Sequence, residues 1–213
     1  MTQPILIMGA TSGIGKLAVE EAASRNLPVR AFARGAAKIE GMDGLEPFVG
    51  DALKPEDVAG ALKDVRAVIY ALGIKERLAM LWEEETLFSN STKILLDEMP
   101  NAGIDRLVVV TGFGAGRSRS AMSSLEKIGH KAILGKPYAD KDRQEKMIID
   151  SDLRWTIARP VILTNGPRVE SYKVLRNPEA WRNGLISRAS VAKYLIDAVE
   201  EDLDVQGDVV LTR

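Results

Sequence analysis

Cysteine is absent from the 213 residues. Disulfides, thiolate nucleophiles and cysteine-held metals are therefore excluded. Histidine occurs once, as His130, too few for a multi-histidine metal site, so no metal is expected. Neither sign of charge is in excess: 29 Lys and Arg stand against 30 Asp and Glu. That balance gives no electrostatic case for nucleic acid or an anionic membrane as partner. No apolar run approaches the ~18 residues that a membrane helix needs. The first residues lack a basic segment followed by an apolar stretch, so no secretory signal is expected. The expectation is a soluble cytoplasmic protein acting on a small molecule. The length fits one compact domain over residues 1–213, with a core that needs no staples.

What is present is an alternation of apolar runs and amphipathic stretches. Strands are expected at Ile5–Met8, Pro28–Ala33, Pro47–Gly50, Ala67–Ala71, Leu107–Val110, Trp155–Ala158 and Val209–Leu211. Helices are expected at Lys16–Ser24, Pro55–Leu62, about Glu83–Met99, around Gln144–Ile149 and at Ala189–Val199. Unbroken β-branched runs such as Leu107-Val108-Val109-Val110 suit strands covered on both faces. The pattern predicts an α/β fold: a doubly wound parallel sheet of Rossmann type in three αβα layers. The residues after Pro160 form a small region on the substrate side. Gly112 to Lys136 is the least regular stretch and reads as a mobile loop near the site.

The most specific signal is at the first strand-to-helix junction, Gly9-Ala10-Thr11-Ser12-Gly13-Ile14-Gly15. A buried strand, a glycine-rich turn and a helix start make a diphosphate site. The first helical N–H groups lack partners and the dipole is positive there. Gly9 permits the exit from the strand, Gly13 lets backbone approach a phosphate, and Gly15 lets the helix lie close to the sheet. Thr11, Ser12 and Ile14 complete the turn.

Ligands of such sheets sit beyond the carboxyl ends of the strands. After strand two, an acid would accept from the ribose 2′-OH of NAD(H). Here Arg34 stands in that place and Lys38 follows one helical turn later. A guanidinium suits a 2′-phosphate, so NADP(H) is expected in preference to NAD(H), although an ordinary solvated arginine reads the same way. Asp51, with Ala52 beside it, accepts from the adenine amino group or is a turn residue ahead of Pro55. Small residues in Ala71-Leu72-Gly73 let a dinucleotide cross the sheet edge. Thr111-Gly112 should lie near the nicotinamide, and the backbone of Pro160-Val161-Ile162 is placed to meet the carboxamide.

These pieces together resemble the atypical branch of the short-chain dehydrogenase/reductase superfamily, in particular its flavin reductase, biliverdin-IXβ reductase-like and NmrA-like members. The likeness rests on the glycine-rich turn, Phe32-Ala33-Arg34, Val49-Gly50-Asp51-Ala52, Leu107 to Gly112, Ser151 to Pro160 and Ile186 to Ala192. It covers nearly the whole chain and implies a nicotinamide-nucleotide-binding fold. Ser12 departs from it, standing where many atypical members have glycine. The tyrosine-dependent branch carries Tyr-x-x-x-Lys, in which lysine lowers the tyrosine pKa for acid/base work. This chain has Tyr138-Ala139-Asp140-Lys141, one residue too short. Lys141 also precedes Glu145 by four, like the lysine of the family's Lys-x-x-x-Glu helix, and alignment on that pair puts Pro137 in the tyrosine slot. By resemblance Lys141 is a cofactor-contacting residue; otherwise it is a solvated partner of Glu145. Tyr138 is a proton donor if a bend before the helix brings it in.

The chemistry this implies is NADPH-dependent hydride transfer to a planar, electron-poor acceptor: a flavin, quinone or tetrapyrrole. Phe113 and Met80-Leu81-Trp82 are candidate apolar walls or loop packing, and His130 is a proton donor or a surface residue. The alternative is a nucleotide-binding redox sensor of NmrA-like type without turnover. Sugar-nucleotide epimerase chemistry is disfavoured, since those relatives carry the tyrosine and a larger substrate lobe.

Overall fold

The apolar runs become strands of one sheet: β1 (Ile5–Met8), β2 (Val29–Ala33), β3 (Leu45–Val49), β4 (Ala67–Tyr70), β5 (Arg106–Val110) and β6 (Arg154–Pro160). The computed structural model describes residues 3–39, 44–73, 86–122 and 124–213, without the side chains of residues 124–136. Three short strands follow, β7 (Ile162–Thr164), β8 (Lys173–Leu175) and β9 (Leu185–Ser187), and then β10 (Gly207–Thr212). The main sheet has the order β3-β2-β1-β4-β5-β6-β10-β8, and β7 pairs with β9 in a separate ribbon. Every pair from β3 to β10 is parallel, whereas β8 is antiparallel to β10.

The expected doubly wound parallel sheet is present, with one antiparallel strand added at its edge. The long connection from β6 to β10 carries β8 back in the opposite sense, where it pairs with the outer side of β10. Antiparallel edge strands are common on otherwise parallel sheets.

Side chains alternate between two cores. Ile5 and Ile7 of β1 and Val108 and Val110 of β5 pack with α1 (Gly13–Ser24) and α5 (Arg188–Glu200). Leu6, Met8, Leu107 and Val109 face the other way, onto α2 (Pro55–Ala61), α3 (Leu87–Asn101) and α4 (Ser124–Ile149). Burial on both faces explains the unbroken apolar runs. Each fully buried side chain of this kind contributes about 1.5–3 kcal/mol. Among the described residues no helix is long and apolar enough to cross a membrane.

Two regions differ from expectation. Gly116–Ala121 forms a short 3-10 segment, and α4 is already helical from Ser124, where the sequence reads as loop. Gly129, Gly135 and Pro137 mask that helix, since each lowers helix propensity. The 3-10 segment is also tied down: Asp142 accepts from the Gly116 N–H at 2.7 Å and pairs with Arg119 at 2.5 Å.

The chain runs outward from β1 to β2 and β3, then returns to β4 on the other side of β1. That reversal opens a crevice beyond the carboxyl ends of β1 and β4.

Candidate functional site

The β1–α1 turn closes on itself through its glycines. Gly9 has φ +85°, and a Cβ there would lie 2.5 Å from the Ala71 carbonyl oxygen. A Cβ on Gly15 would lie 2.3 Å from the Gly9 carbonyl oxygen, so α1 sits directly on the turn. Ser12 is the N-cap residue of α1, yet its hydroxyl makes no capping bond. The first-turn N–H groups are therefore left without a side-chain cap or an intrahelical acceptor.

Beside the turn lies a cleft of about 720 Å³. Its walls come from Gly9, Thr11 and Ser12 of the turn, and from Phe32, Ala33, Arg34 and Gly35 at the end of β2. Gly50, Asp51, Ala52 and Leu53 follow β3, and Leu72, Gly73 and Leu87 close the far side. Eight of the expected residues thus share one cavity: Gly9, Thr11, Ser12, Arg34, Asp51, Ala52, Leu72 and Gly73. Phe32, Ala33, Gly35, Gly50, Leu53 and Leu87 line it too, beyond the expected site residues. Phe32 reads as ordinary core in an apolar strand, and Leu87 reaches the cleft only because α3 begins there. Leu53 is 44 % exposed in its turn, which only the structure reveals.

Arg34 is exposed, and among the described residues it makes no hydrogen bond or ion pair. Lys38 is exposed at the end of a 3-10 turn and does not line the cleft. Asp51 accepts from the Leu53 N–H at 3.0 Å, an Asx turn that is the bland reading of this residue. The residue nonetheless borders the cavity. Gly13 (φ +56°) has open space around it, while Ile14 and Ala71 pack against the α1/α5 core.

The remaining expected residues gather at the ends of β5 and β6. Tyr138 and Lys141 lie three apart on the continuous helix α4, so no bend is needed to bring the tyrosine in. A Cβ on Gly112 would meet the Tyr138 hydroxyl at 2.6 Å. The Lys141 ammonium donates to the Thr111 carbonyl at 2.5 Å and sits 5.3 Å above the Tyr138 ring and 5.1 Å above Phe88. Lys141 is thus not the solvated partner of Glu145. Burial draws its pKa down to about 8, against the raising influence of Glu145. Burial, with Glu145 adding to it, pushes the Tyr138 phenol up to about 12. That is opposite to the lowering the tyrosine-dependent mechanism requires, so the phenol stays protonated at neutral pH.

The sign of the Lys141 shift has a consequence. An ammonium held below its ordinary 10.5 costs stability at neutral pH, and the cost fades as pH rises from about 8 to 10.5. Lys141→Met is expected to raise the melting temperature at pH 7 and to lose that advantage near pH 10.5, as scanning calorimetry at the two pH values would record.

The Pro160-Val161-Ile162 stretch is more engaged than expected. The Pro160 carbonyl accepts from the Phe113 N–H at 2.9 Å. The Val161 and Ile162 N–H groups donate to Leu211 and Gly184 at 3.1 and 3.2 Å. Phe113 is buried in the α1/α5 core. Met80, Leu81 and Trp82 lie outside the described residues, as does the side chain of His130.

Behind Thr111 lies a chain of buried charges. The Thr111 hydroxyl donates to Glu145 Oε1 at 2.6 Å, and Arg159 grips Glu145 at 3.0 and 2.7 Å. Arg159 and Arg117 both hold Asp208. Burial alone would raise the Asp208 carboxyl; the two guanidiniums outweigh it and keep the group below its ordinary 3.8. A depressed carboxyl stabilises the fold above its unfolded value and loses that contribution as pH falls through the folded one. Stability should therefore decline as pH drops below about 4, and urea midpoints across that range should slope less in Asp208→Asn.

Comparison with known proteins agrees with this architecture. The model of a family described as NAD(P)H-binding matches residues 9–202. The anaerobilin reductase ChuY of Escherichia coli O157:H7 is 25 % identical, superposes with a TM-score of 0.80, and is covered over 96 % of its chain by 98 % of this one. A short-chain dehydrogenase/reductase of Veillonella parvula in complex with NADP shares the fold, with a TM-score of 0.82 at 17 % identity, over 100 % of this chain and 95 % of that one. An uncharacterised chloroplastic protein of Arabidopsis thaliana is 25 % identical over 94 % of this chain and 73 % of its own length.

Proposed function

The chain belongs to the NAD(P)H-binding family, and from that premise we propose that it is an NADPH-dependent reductase delivering hydride to a planar, electron-poor acceptor of the tetrapyrrole class. The cleft at the β1–α1 turn, with Arg34 exposed on its wall, carries the nucleotide half of this reading. The likeness to an anaerobilin reductase over almost the full length supports the acceptor class.

The residues present fit the nucleotide. The α1 first-turn N–H groups and the uncapped Ser12 hydroxyl suit a diphosphate. Arg34 suits the 2′-phosphate, and Asp51 has a carboxylate on the adenosine side. Bound NADPH supplies the hydride. The protein holds the ring in place and shapes the pocket above it. Thr111, Gly112, Lys141 and Tyr138 surround the region beyond β5 in this reading, with the Lys141 ammonium as a cofactor contact and the neutral Tyr138 phenol as a proton donor. Pro160, Val161 and Ile162 border the same side.

Steady-state NADPH oxidation tests this, run with a linear tetrapyrrole, a flavin and a quinone in parallel. Acceptor-dependent oxidation fastest with the tetrapyrrole is expected. The tyrosine–lysine spacing of three favours a second reading, a redox sensor that binds NADP(H) without turnover. Tight NADPH binding with no oxidation by any acceptor would select that reading and overturn the reductase.

A further inference from the structure

Glu145, Arg159 and Asp208 are 1 %, 0 % and 5 % exposed, and Arg117 reaches into them from the surface. Arg159 joins the two carboxylates, and both guanidiniums lie 5.1 Å from the Trp181 ring. Taking such ions out of water is costly, and their mutual attraction in a buried site repays that cost only in part. A buried ion cluster is thus weak evidence of a stabilising role, which leaves another account open.

Its geometry gives another account, because the cluster ends at the site. Glu145 Oε1 accepts the Thr111 hydroxyl at 2.6 Å, while the Thr111 carbonyl accepts from Lys141 at 2.5 Å. Thr111 is therefore gripped at its side chain and at its backbone. The next residue, Gly112, lies against the Tyr138 hydroxyl. The backbone of Gly116 closes over the opposite side: a Cβ there would stand 2.0 Å from Glu145 Oε2. Glu145 is also the negative charge that favours the ammonium form of Lys141.

We propose that Glu145 is a positioning residue: locked by Arg159, it fixes the Thr111–Gly112 turn, and with it Lys141 and Tyr138, in the arrangement that receives the nicotinamide half of the cofactor. It touches neither substrate nor cofactor itself. The inference rests on the NADPH-reductase reading and adds to it the device that sets where the ring lies.

Glu145→Gln and Thr111→Val each remove one part of the grip with little change of volume, and Thr111→Ser keeps the hydroxyl. The probes are 2′,5′-ADP, which lacks the nicotinamide half, and NADPH, with the single-turnover rate of hydride transfer as a third measurement. In Glu145→Gln and Thr111→Val the 2′,5′-ADP affinity should stay within about twofold of wild type, while NADPH affinity and the transfer rate each fall by about tenfold or more. Thr111→Ser should recover most of both. The pH midpoint of Lys141, followed in protein carrying 13C-labelled lysine, should move down in Glu145→Gln. A purely structural role would not separate the two nucleotides, whereas the midpoint reports that the Glu145 charge reaches Lys141.

NADPH affinity unchanged in Thr111→Val, or 2′,5′-ADP and NADPH weakened in parallel, would overturn the inference. If Glu145→Gln fails to fold, the Thr111 pair decides alone. Wild-type protein that binds NADPH but transfers hydride to no acceptor would overturn the reductase reading only, since the binding comparison needs no turnover.

Discussion

Replacing Arg34 by alanine should weaken NADPH binding by about 10- to 100-fold, the equivalent of about 1.4–2.7 kcal/mol, and leave NADH within about twofold. Arg34 stands at the end of β2 on the cleft wall, exposed, with no ion-pair partner among the described residues. A charge-assisted bond to a 2′-phosphate contributes about 1.5–3 kcal/mol, and solvent exposure places this one toward the lower part of that range. The loss should shrink as salt rises from 0.05 to about 0.5 M, because exposed charges are screened over roughly a Debye length. Arg34→Lys should fall between, keeping the charge but not the planar fork. Fluorescence titrations with both reduced nucleotides measure the effect. An equal loss for NADPH and NADH would remove the basis for NADPH preference.

The largest expected effect on stability lies at Arg159. Arg159→Leu leaves Glu145 and Asp208 buried, the first without its only guanidinium partner among the described residues. Removing one member of a buried ion cluster costs about 3–5 kcal/mol. For a chain of this size that corresponds to a melting-temperature drop of roughly 6–20 °C. Combining Arg159→Leu with Glu145→Leu and Asp208→Leu should recover much of the loss, because no buried charge is then left uncompensated. The triple variant should still fail in hydride transfer, since Thr111 has lost its acceptor. Thermal and urea unfolding of the single and triple variants check both statements, and a single variant as stable as wild type would refute the first.

The nucleotide end of the cleft was legible in the sequence because its determinants are local. Gly9, Gly13 and Gly15 lie within seven residues, and Arg34 and Asp51 each follow an apolar run whose end the sequence marks. The doubly wound parallel sheet followed from the alternation of elements. The region beyond β5 and β6 was less legible, for three physical reasons. β7, β8 and β9 have three residues each, too few to establish a period of two. The early turns of α4 carry glycines and meet Pro137, which weakens the helical signal. The buried cluster draws its members from the residue after β5, from β6, α4, β10 and a 3-10 turn, so no sequence spacing joins Thr111 to Asp208. The Lys141–Glu145 spacing was visible, but a spacing of four predicts a pair on a helix surface. It does not reveal that Arg159 occupies the glutamate and a backbone carbonyl receives the lysine.

Binding of NADP(H) in the β1–α1 cleft is tested by calorimetric titration of NADPH into the wild-type protein. Saturable binding of one nucleotide per chain is expected, displaced competitively by 2′,5′-ADP and weaker with NADH. No heat of binding up to millimolar NADPH, or binding that 2′,5′-ADP fails to displace, would contradict it.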